Sequence, residues 1–380
     1  MIIVGGGPSG TSAARLSAKA GLSTLLIEEQ AHIGYPVQCA GLLSNSAFDE
    51  CEVSRSAVLN EVSGADVIAG SSVCSFNAGK RMAYVVDRAR LDLEMATQAA
   101  DAGSDIQLKT IASGISKKNR ILTTNGMRGT EEIQYSVLIA ADGPRSTISR
   151  SLNIPRAPVY LSGLQCDVCL EPDPENVQIF PNASPEFFGW KIPINENTSR
   201  IGLCGITSVH DKFRSFIDPF KDRCIHFVSG TIPLGLIDRT YDDGVMIIGD
   251  AAGLAKPTSG GGVYTGVRSA RHAVNAAITA IEEGRTDRMD LERYEKLWKN
   301  DFGRELQKGF TFFKLRQKIS PDKLEKIIKI MSDPAICDVI IRKGDMDRPS
   351  SLLNALTLHP HMIPAMIQIG RSLLSSRRSK

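Results

Sequence analysis

Three short glycine-bearing blocks punctuate this sequence, and the first has the residue types and spacing to hold a phosphorylated cofactor. The first is Gly5-x-Gly7-x-x-Gly10, directly after the apolar run Ile2–Val4. At that spacing the first glycine permits a tight turn and the second lets the backbone approach a pyrophosphate. The third allows a helix to pack closely on the strand. Pro8 and Ser9 lie inside the block. A helix starting there aims free N–H groups and a partial positive charge at the phosphates. Glu28 ends the next apolar run, where a carboxylate accepts both hydroxyls of an adenosine ribose and repels a 2′-phosphate. Glu29 is the alternative acceptor, although alternation along a strand turns it to the opposite side. The second block is Asp142-Gly143-Pro144-Arg145-Ser146 and onward to Arg150, and the third is Gly249-Asp250-Ala251-Ala252 followed by Pro257 and Gly260-Gly261-Gly262-Val263. The glycine blocks specify a dinucleotide and leave NAD and FAD open.

Strands must carry these blocks, and the sequence supplies them. Ile2–Val4, residues 23–27, the VLIA run at 137–140 and the VMII run at 245–248 read as short buried strands, each running into a turn. Helices are expected over Gly10–Ala20, Leu91–Ala102 and Val263–Glu283. Residues 31–87 read as irregular with short β-like pieces at Asp66–Ala69, Ser72–Phe76 and Met82–Val86, and 155–240 as alternating strands and turns of a mostly antiparallel sheet. From Leu291 onward the pattern is helical. The fold class is therefore α/β: a discontinuous, Rossmann-like dinucleotide-binding domain from residues 1–60, 87–154 and 241–300, with a substrate sheet from 61–86 and 155–240 inserted into it and a helical region at 301–380.

Composition narrows the function classes. The chain has 380 residues, 42% hydrophobic and 23% charged, which excludes a largely disordered protein. A formal charge of +3 gives no argument for nucleic acid. The charge is uneven: residues 303–380 hold 15 Lys/Arg against 7 Asp/Glu, a net of +8, leaving −5 on the preceding part. Eight cysteines in this length form no disulfide scaffold and point to the cytoplasm. No signal peptide fits before the glycine turn, and no apolar run is long enough to span a bilayer. Cys166-x-x-Cys169 is no metal pair, because residues three apart on a strand face opposite ways; no metal site is expected.

The three blocks, in this order, resemble those of the FAD-dependent aromatic hydroxylase superfamily, and within it the geranylgeranyl reductase family. The resemblance implies FAD as the cofactor, with Asp250 on the ribityl hydroxyls and Gly260–Val263 opening a helix toward the flavin N1/C2 carbonyl. It implies that Arg88, in VDRARLD, contacts the FAD backbone; a surface ion pair with Asp92 is the alternative. Pro36-Val37-Gln38-Cys39-Ala40-Gly41 resembles the family's segment beside the isoalloxazine, which puts Cys39 and Ala40 near the flavin. Phe187-Phe188-Gly189-Trp190-Lys191-Ile192-Pro193 resembles the block lining the prenyl cavity, although Ile192 replaces an aromatic residue. Phe187, Phe188, Trp190 and Pro193 are thus candidate cavity residues, or else core of the inserted sheet. The implied activity is reduction of C=C bonds in prenyl-lipid chains by reduced flavin. A flavin monooxygenase or halogenase and a non-catalytic prenyl-binding protein are the alternatives. One GxGxxG block leaves ferredoxin and NAD(P)H both open as electron donor. The tail at 357–380, apolar at Met362, Ile363, Met366, Ile369 and Leu373 and basic at its end, could lie on an anionic membrane or pack on the body.

Overall fold

The computed structural model describes residues 1–378. Its central sheet has six strands in the order Tyr241–Asp242, Val245–Ile247, Leu138–Ala140, Ile2–Val4, Leu25–Ile27, Asp105–Gln107. All neighbours are parallel except the edge pair at Tyr241–Asp242. Ile2–Val4 is only three residues long, yet it lies in the interior of the sheet and is 0–5% exposed. Burial on both faces is what holds so short a strand. Register fixes the ends: Val4, Ala140 and Ile247 stand side by side, with Ile27 on the other flank of Val4. The residues that follow them are Gly5, Ala141-Asp142, Ile248-Gly249 and Glu28, so all the cofactor blocks leave one edge together. Ligands of open α/β sheets bind at that carboxyl edge.

Helices Pro8–Lys19 and Val263–Glu282 pack on each other beside this sheet. Their crossing is close at Gly266, where a Cβ would strike Ser9, and the turn at Gly249 presses on the same serine, its Cβ position 2.5 Å from Ser9 Oγ. An antiparallel sheet of Ile111–Ser116, Ile121–Gly126 and Gly129–Gln134 lies beyond.

The larger sheet has seven strands, ordered Cys224–Leu234, Val159–Cys169, Thr198–Gly205, Gly189–Asn195, Asn176–Phe180, Gly64–Ala69, Ser72–Asn77. It is antiparallel except where Asn176–Phe180 runs with Gly64–Ala69. One face packs Cys166, Val168, Ile201 and Leu203 against helix Val209–Ile217. The opposite face turns toward the cofactor edge. Residues 31–87 are more regular than the sequence suggests. Leu42–Ser44, Val58–Val62 and Ala83–Val86 form a separate three-stranded sheet around helix Asn45–Cys51. Those pieces are too short to show a period, and partners distant in sequence define them.

The C-terminal helices cover the far edge of the seven-stranded sheet, burying Leu324, Ile327, Ile328, Ile336, Ile340, Leu356 and Met362 against Ala69 and Cys74. The tail stripe is split. Met362 and Ile369 pack inward, whereas Ile363, Met366 and Ile367 are exposed at 58%, 37% and 49%. The side chains of residues 371–380, which include Leu373 and the terminal basic cluster, lie outside the described residues.

Candidate functional site

Each glycine of the first block has a separate physical role. Gly5 has φ +106°, and a Cβ there would strike the Ala141 carbonyl oxygen. A Cβ on Gly10 would strike the Gly5 carbonyl oxygen and stand 3.3 Å from Ala141 Cβ. These two glycines therefore let the turn and helix close on the sheet. Gly7 is different: nothing lies within 4 Å of its Cβ position. The space in front of it is open, and the helix that follows has no side-chain cap at its N-terminus. Glu28 reaches into the same turn, where its Oε2 accepts the Gly6 N–H at 2.6 Å and its Oε1 the Gln30 N–H at 2.8 Å. Both oxygens keep lone pairs for a ribose. Glu29 is exposed and accepts from the Gln30 side chain at 3.2 Å, so it is not brought to the turn.

In the second block, Asp142 Oδ2 accepts from the N–H groups of Thr147 (2.8 Å) and Ile148 (3.2 Å). Its Oδ1 is buried without a partner. Burial raises this carboxyl's pKa, partly offset by Ser146 and those two backbone donors. Gly143 next to it faces open space. In the third block, Asp250 stands against the start of helix Val263–Glu282: a Cβ on Gly262 would lie 2.6 Å from its Oδ1. Loss of solvation pushes the Asp250 pKa up to about 6, with Arg88 pulling the other way. That helix also lacks a side-chain cap. Pro257 is buried and sits 3.3 Å from the Cβ position of Gly309.

Arg88 stands between the third block and the Cys39 segment. Its guanidinium makes a bidentate pair with Asp92, at 3.0 and 2.9 Å, between side chains only 12% and 8% exposed. The pair forms, but it is buried and not on the surface. Burial opposes the Arg88 charge, yet Asp92 and the adjacent Cys39 outweigh it and raise its pKa. Arg88 thus stands near both Cys39 and Asp250.

The face of the seven-stranded sheet that looks toward these residues carries a file of rings. Phe187 stacks on Phe188 at 4.2 Å, Phe188 meets Trp190 edge-on at 6.3 Å, Phe187 meets Phe313 at 6.3 Å, and Phe313 stacks on Phe310 at 5.9 Å. Phe187 is 5% exposed, while Phe188 and Trp190 are half-buried. Phe187 is therefore core, whereas its two neighbours keep open surface. The file passes the cofactor edge at Gly260, where a Cβ would meet Phe187 at 3.6 Å and Ile232 at 3.0 Å. Pro193 is not part of it. It is buried three residues past Trp190, on the opposite side of the strand, and its carbonyl accepts from Asn60.

Several residues here were not legible in sequence. Phe310 and Phe313 come from helix Arg304–Arg316, and their i, i+3 spacing in GFTFF was the available signal. Lys256 is 6% exposed beneath the glycine loop, donating to Met346 O at 3.0 Å and pairing with Asp347, which also accepts from Ser44. No local pattern marks that pair. Cys166 lies buried 3.2 Å from Cys224 Sγ, and Cys169 is exposed on the other side of the strand.

A model of the FAD binding domain family matches residues 1–224, and the chain belongs to that family. The protein is an FAD-dependent oxidoreductase. Its relatives are more specific. A digeranylgeranylglycerophospholipid reductase of Thermoplasma acidophilum is 30% identical over 90% of this chain and 93% of its own length. Digeranylgeranylglycerophospholipid reductase 2 of Methanothermobacter thermautotrophicus is 29% identical over 96% and 97%. Among solved structures, a geranylgeranyl bacteriochlorophyll reductase-like protein from Thermoplasma acidophilum superposes with a TM-score of 0.86 at 26% identity, covering 97% and 98% of the two chains. The chain is a member of the geranylgeranyl reductase family of flavoproteins. The residues present suit FAD: open space at Gly7 and Gly143, two uncapped helix N-termini and a buried carboxylate oxygen without a partner all converge at one sheet edge.

Proposed function

We propose that this protein reduces isolated C=C bonds in the geranylgeranyl-type chains of prenyl lipids. The observation that carries this reading is the file of aromatic rings from Phe310 to Trp190, which runs directly past the glycine loop at Gly260. The names of the relatives point to the same substrate class. An isolated alkene offers no carbonyl to hold developing charge, so orientation and dryness must do most of the work. Phe188 and Trp190 supply apolar surface for the chain, each buried CH₂ contributing about 0.8 kcal/mol.

Gly7 and the N–H groups of the helix after it would hold the pyrophosphate, Glu28 the adenosine ribose, and Asp250 the ribityl hydroxyls. Gly260–Val263 present N–H groups to the N1 side of the ring, where charge accumulates on reduction. The chemistry supplied by FAD, once bound and reduced, would be transfer of a hydride to one alkene carbon. The other carbon takes a proton, and Cys39 stands at the edge of the site as the candidate donor. Reducing equivalents come from ferredoxin or from NAD(P)H bound transiently.

No helix among the described residues is long and apolar enough to cross a membrane. The exposed Leu358, Ile363 and Ile367, on a segment of net charge +8, support contact with an anionic lipid surface that delivers the substrate. The deciding test is anaerobic incubation of the dithionite-reduced protein with a geranylgeranyl glycerophospholipid. The product should gain two hydrogens for each bond reduced. An unchanged lipid that becomes oxygenated on admission of air supports a monooxygenase instead.

A further inference from the structure

The segment bearing Cys39 is held in an unusual way. Residues 35–40 have no regular structure and run between two glycines in the left-handed region, Gly34 (φ +81°) and Gly41 (φ +77°). One end is pinned to helix Arg88–Asp101 and the other to the three-stranded sheet beside it. A Cβ on Gly34 would stand 2.8 Å from Ala89 Cα, and one on Gly41 would stand 2.5 Å from the Val86 carbonyl oxygen. Val86 N–H also donates to Gly41 O at 2.8 Å. The middle of the segment is held by the other sheet. Gln165 Nε2 donates to the Cys39 carbonyl at 3.0 Å, and Arg200 Nη1 donates to the Ala40 carbonyl at 3.0 Å. Two adjacent strands therefore grip two consecutive carbonyls.

Both donors are themselves fixed. Arg200 is bidentate to Asp167 at 2.7 and 2.9 Å, directly across the sheet in register. Gln165 is 5% exposed, and its register partner on the next strand is Gly202, over whose bare Cα the Trp190 ring lies. The acceptor at Cys39 sets the orientation of the amide, leaving its Oε1 buried without a partner. A third strand makes room: a Cβ on Gly230 would stand 2.9 Å from the Gln38 carbonyl oxygen.

We propose that Gln165 and Arg200 are positioning residues that latch the Tyr35–Ala40 flap onto the substrate sheet and so fix where the Cys39 thiol stands beside Arg88. The latch joins the domain that carries the cofactor to the sheet that carries the aromatic file. Its catalytic consequence rests on the prenyl-reductase reading, whereas its existence does not.

The test is the rate of iodoacetamide alkylation of Cys39 in the flavin-loaded protein, followed by peptide mass spectrometry, with the exposed Cys169 as internal reference. Gln165→Met keeps the side-chain volume and removes the donor without adding a group that can be protonated. Losing one hydrogen bond should raise the Cys39 rate about fivefold relative to Cys169. Arg200→Lys, which keeps the charge but not the fork, should act in the same direction. In turnover Gln165→Met should lower kcat with little change in KM. An unchanged alkylation ratio in Gln165→Met, or a rise at both thiols alike, overturns the latch. If that variant does not fold, Gly230→Ala decides: it leaves both donors in place while pushing the flap away, and an unchanged ratio there overturns the proposal. Absence of prenyl reduction with an increased Cys39 ratio would refute the assigned reaction and leave the latch standing.

Discussion

Replacing Gly7 by alanine separates the cofactor role of the glycine block from its folding role. Gly7 caps the first helix with φ −73° and ψ 179°, a conformation alanine adopts freely, and its Cβ would touch nothing within 4 Å. Alanine is a poorer N-cap than glycine, by up to about 1 kcal/mol. It also restricts the unfolded chain, which returns about 0.4–1 kcal/mol. The stability of the flavin-free protein should therefore change by less than about 1 kcal/mol. The new methyl group would stand where the pyrophosphate must approach the backbone. Losing one charge-assisted hydrogen bond costs about 1.5–3 kcal/mol, so FAD should bind about 10- to 150-fold more weakly. Gly10→Ala is the contrast. Its methyl would drive into the Gly5 carbonyl, and such overpacking costs about 1–3 kcal/mol in the flavin-free protein itself. The assay is urea unfolding of the apoprotein beside a fluorescence titration with FAD. A Gly7→Ala protein that binds FAD like the parent refutes the placement of the pyrophosphate. An apoprotein destabilised as much as Gly10→Ala refutes the claim that the space is free.

Asp250 should make flavin binding depend on pH. Its folded pKa of about 6 is raised above the ordinary 3.8, so its effect favours the folded apoprotein below 3.8 and is lost as pH rises through 6. Asp250→Asn should accordingly be the more stable apoprotein at pH 8, with the advantage vanishing near pH 4, yet bind FAD more weakly. In the parent protein FAD affinity should fall as pH drops below about 6, measured by titration in flavin fluorescence. Asp347→Ala should cost about 3–5 kcal/mol in urea unfolding, because it leaves Lys256 charged and buried at 6% exposure. Trp190 is one of two tryptophans, and Trp298 is fully buried. Adding a prenyl lipid should change the emission of the parent and not of Trp190→Phe. Ile363→Asp with Ile367→Asp should reduce sedimentation with anionic vesicles while leaving the unfolding midpoint unchanged.

What could be read in advance was whatever is encoded locally. Gly5, Gly7 and Gly10 announce a turn whose backbone demands are met within six residues. Asp250 and Gly262 are separated in sequence, but a strand and a helix start bring them together by familiar geometry. Within residues 42–86 the β-like runs at 66–69, 72–76 and 82–86 are strands as expected, whereas Leu42–Ser44 shows no pattern of its own and becomes a strand only by pairing with Ala83–Val86 across about 40 residues of chain. Glu28 and Glu29 were separable by strand alternation alone. Pro193 was misplaced despite the same rule, because the sequence block was read as one surface although a strand divides its residues between two faces. Gln165 and Arg200 carried no signal at all. They lie on strands of ordinary composition, and their importance depends on what a distant flap presents to them.

On the proposed function, segments remote in the chain grip one flavin beside an aromatic file that holds an alkene. The most direct measurement is the return of oxidised-flavin absorbance when a geranylgeranyl lipid is mixed with the reduced protein in the absence of oxygen. Reoxidation should match the double bonds consumed, slow in Trp190→Ala, and vanish with the fully saturated lipid. A flavin that stays reduced until air enters, whatever lipid is present, would contradict it.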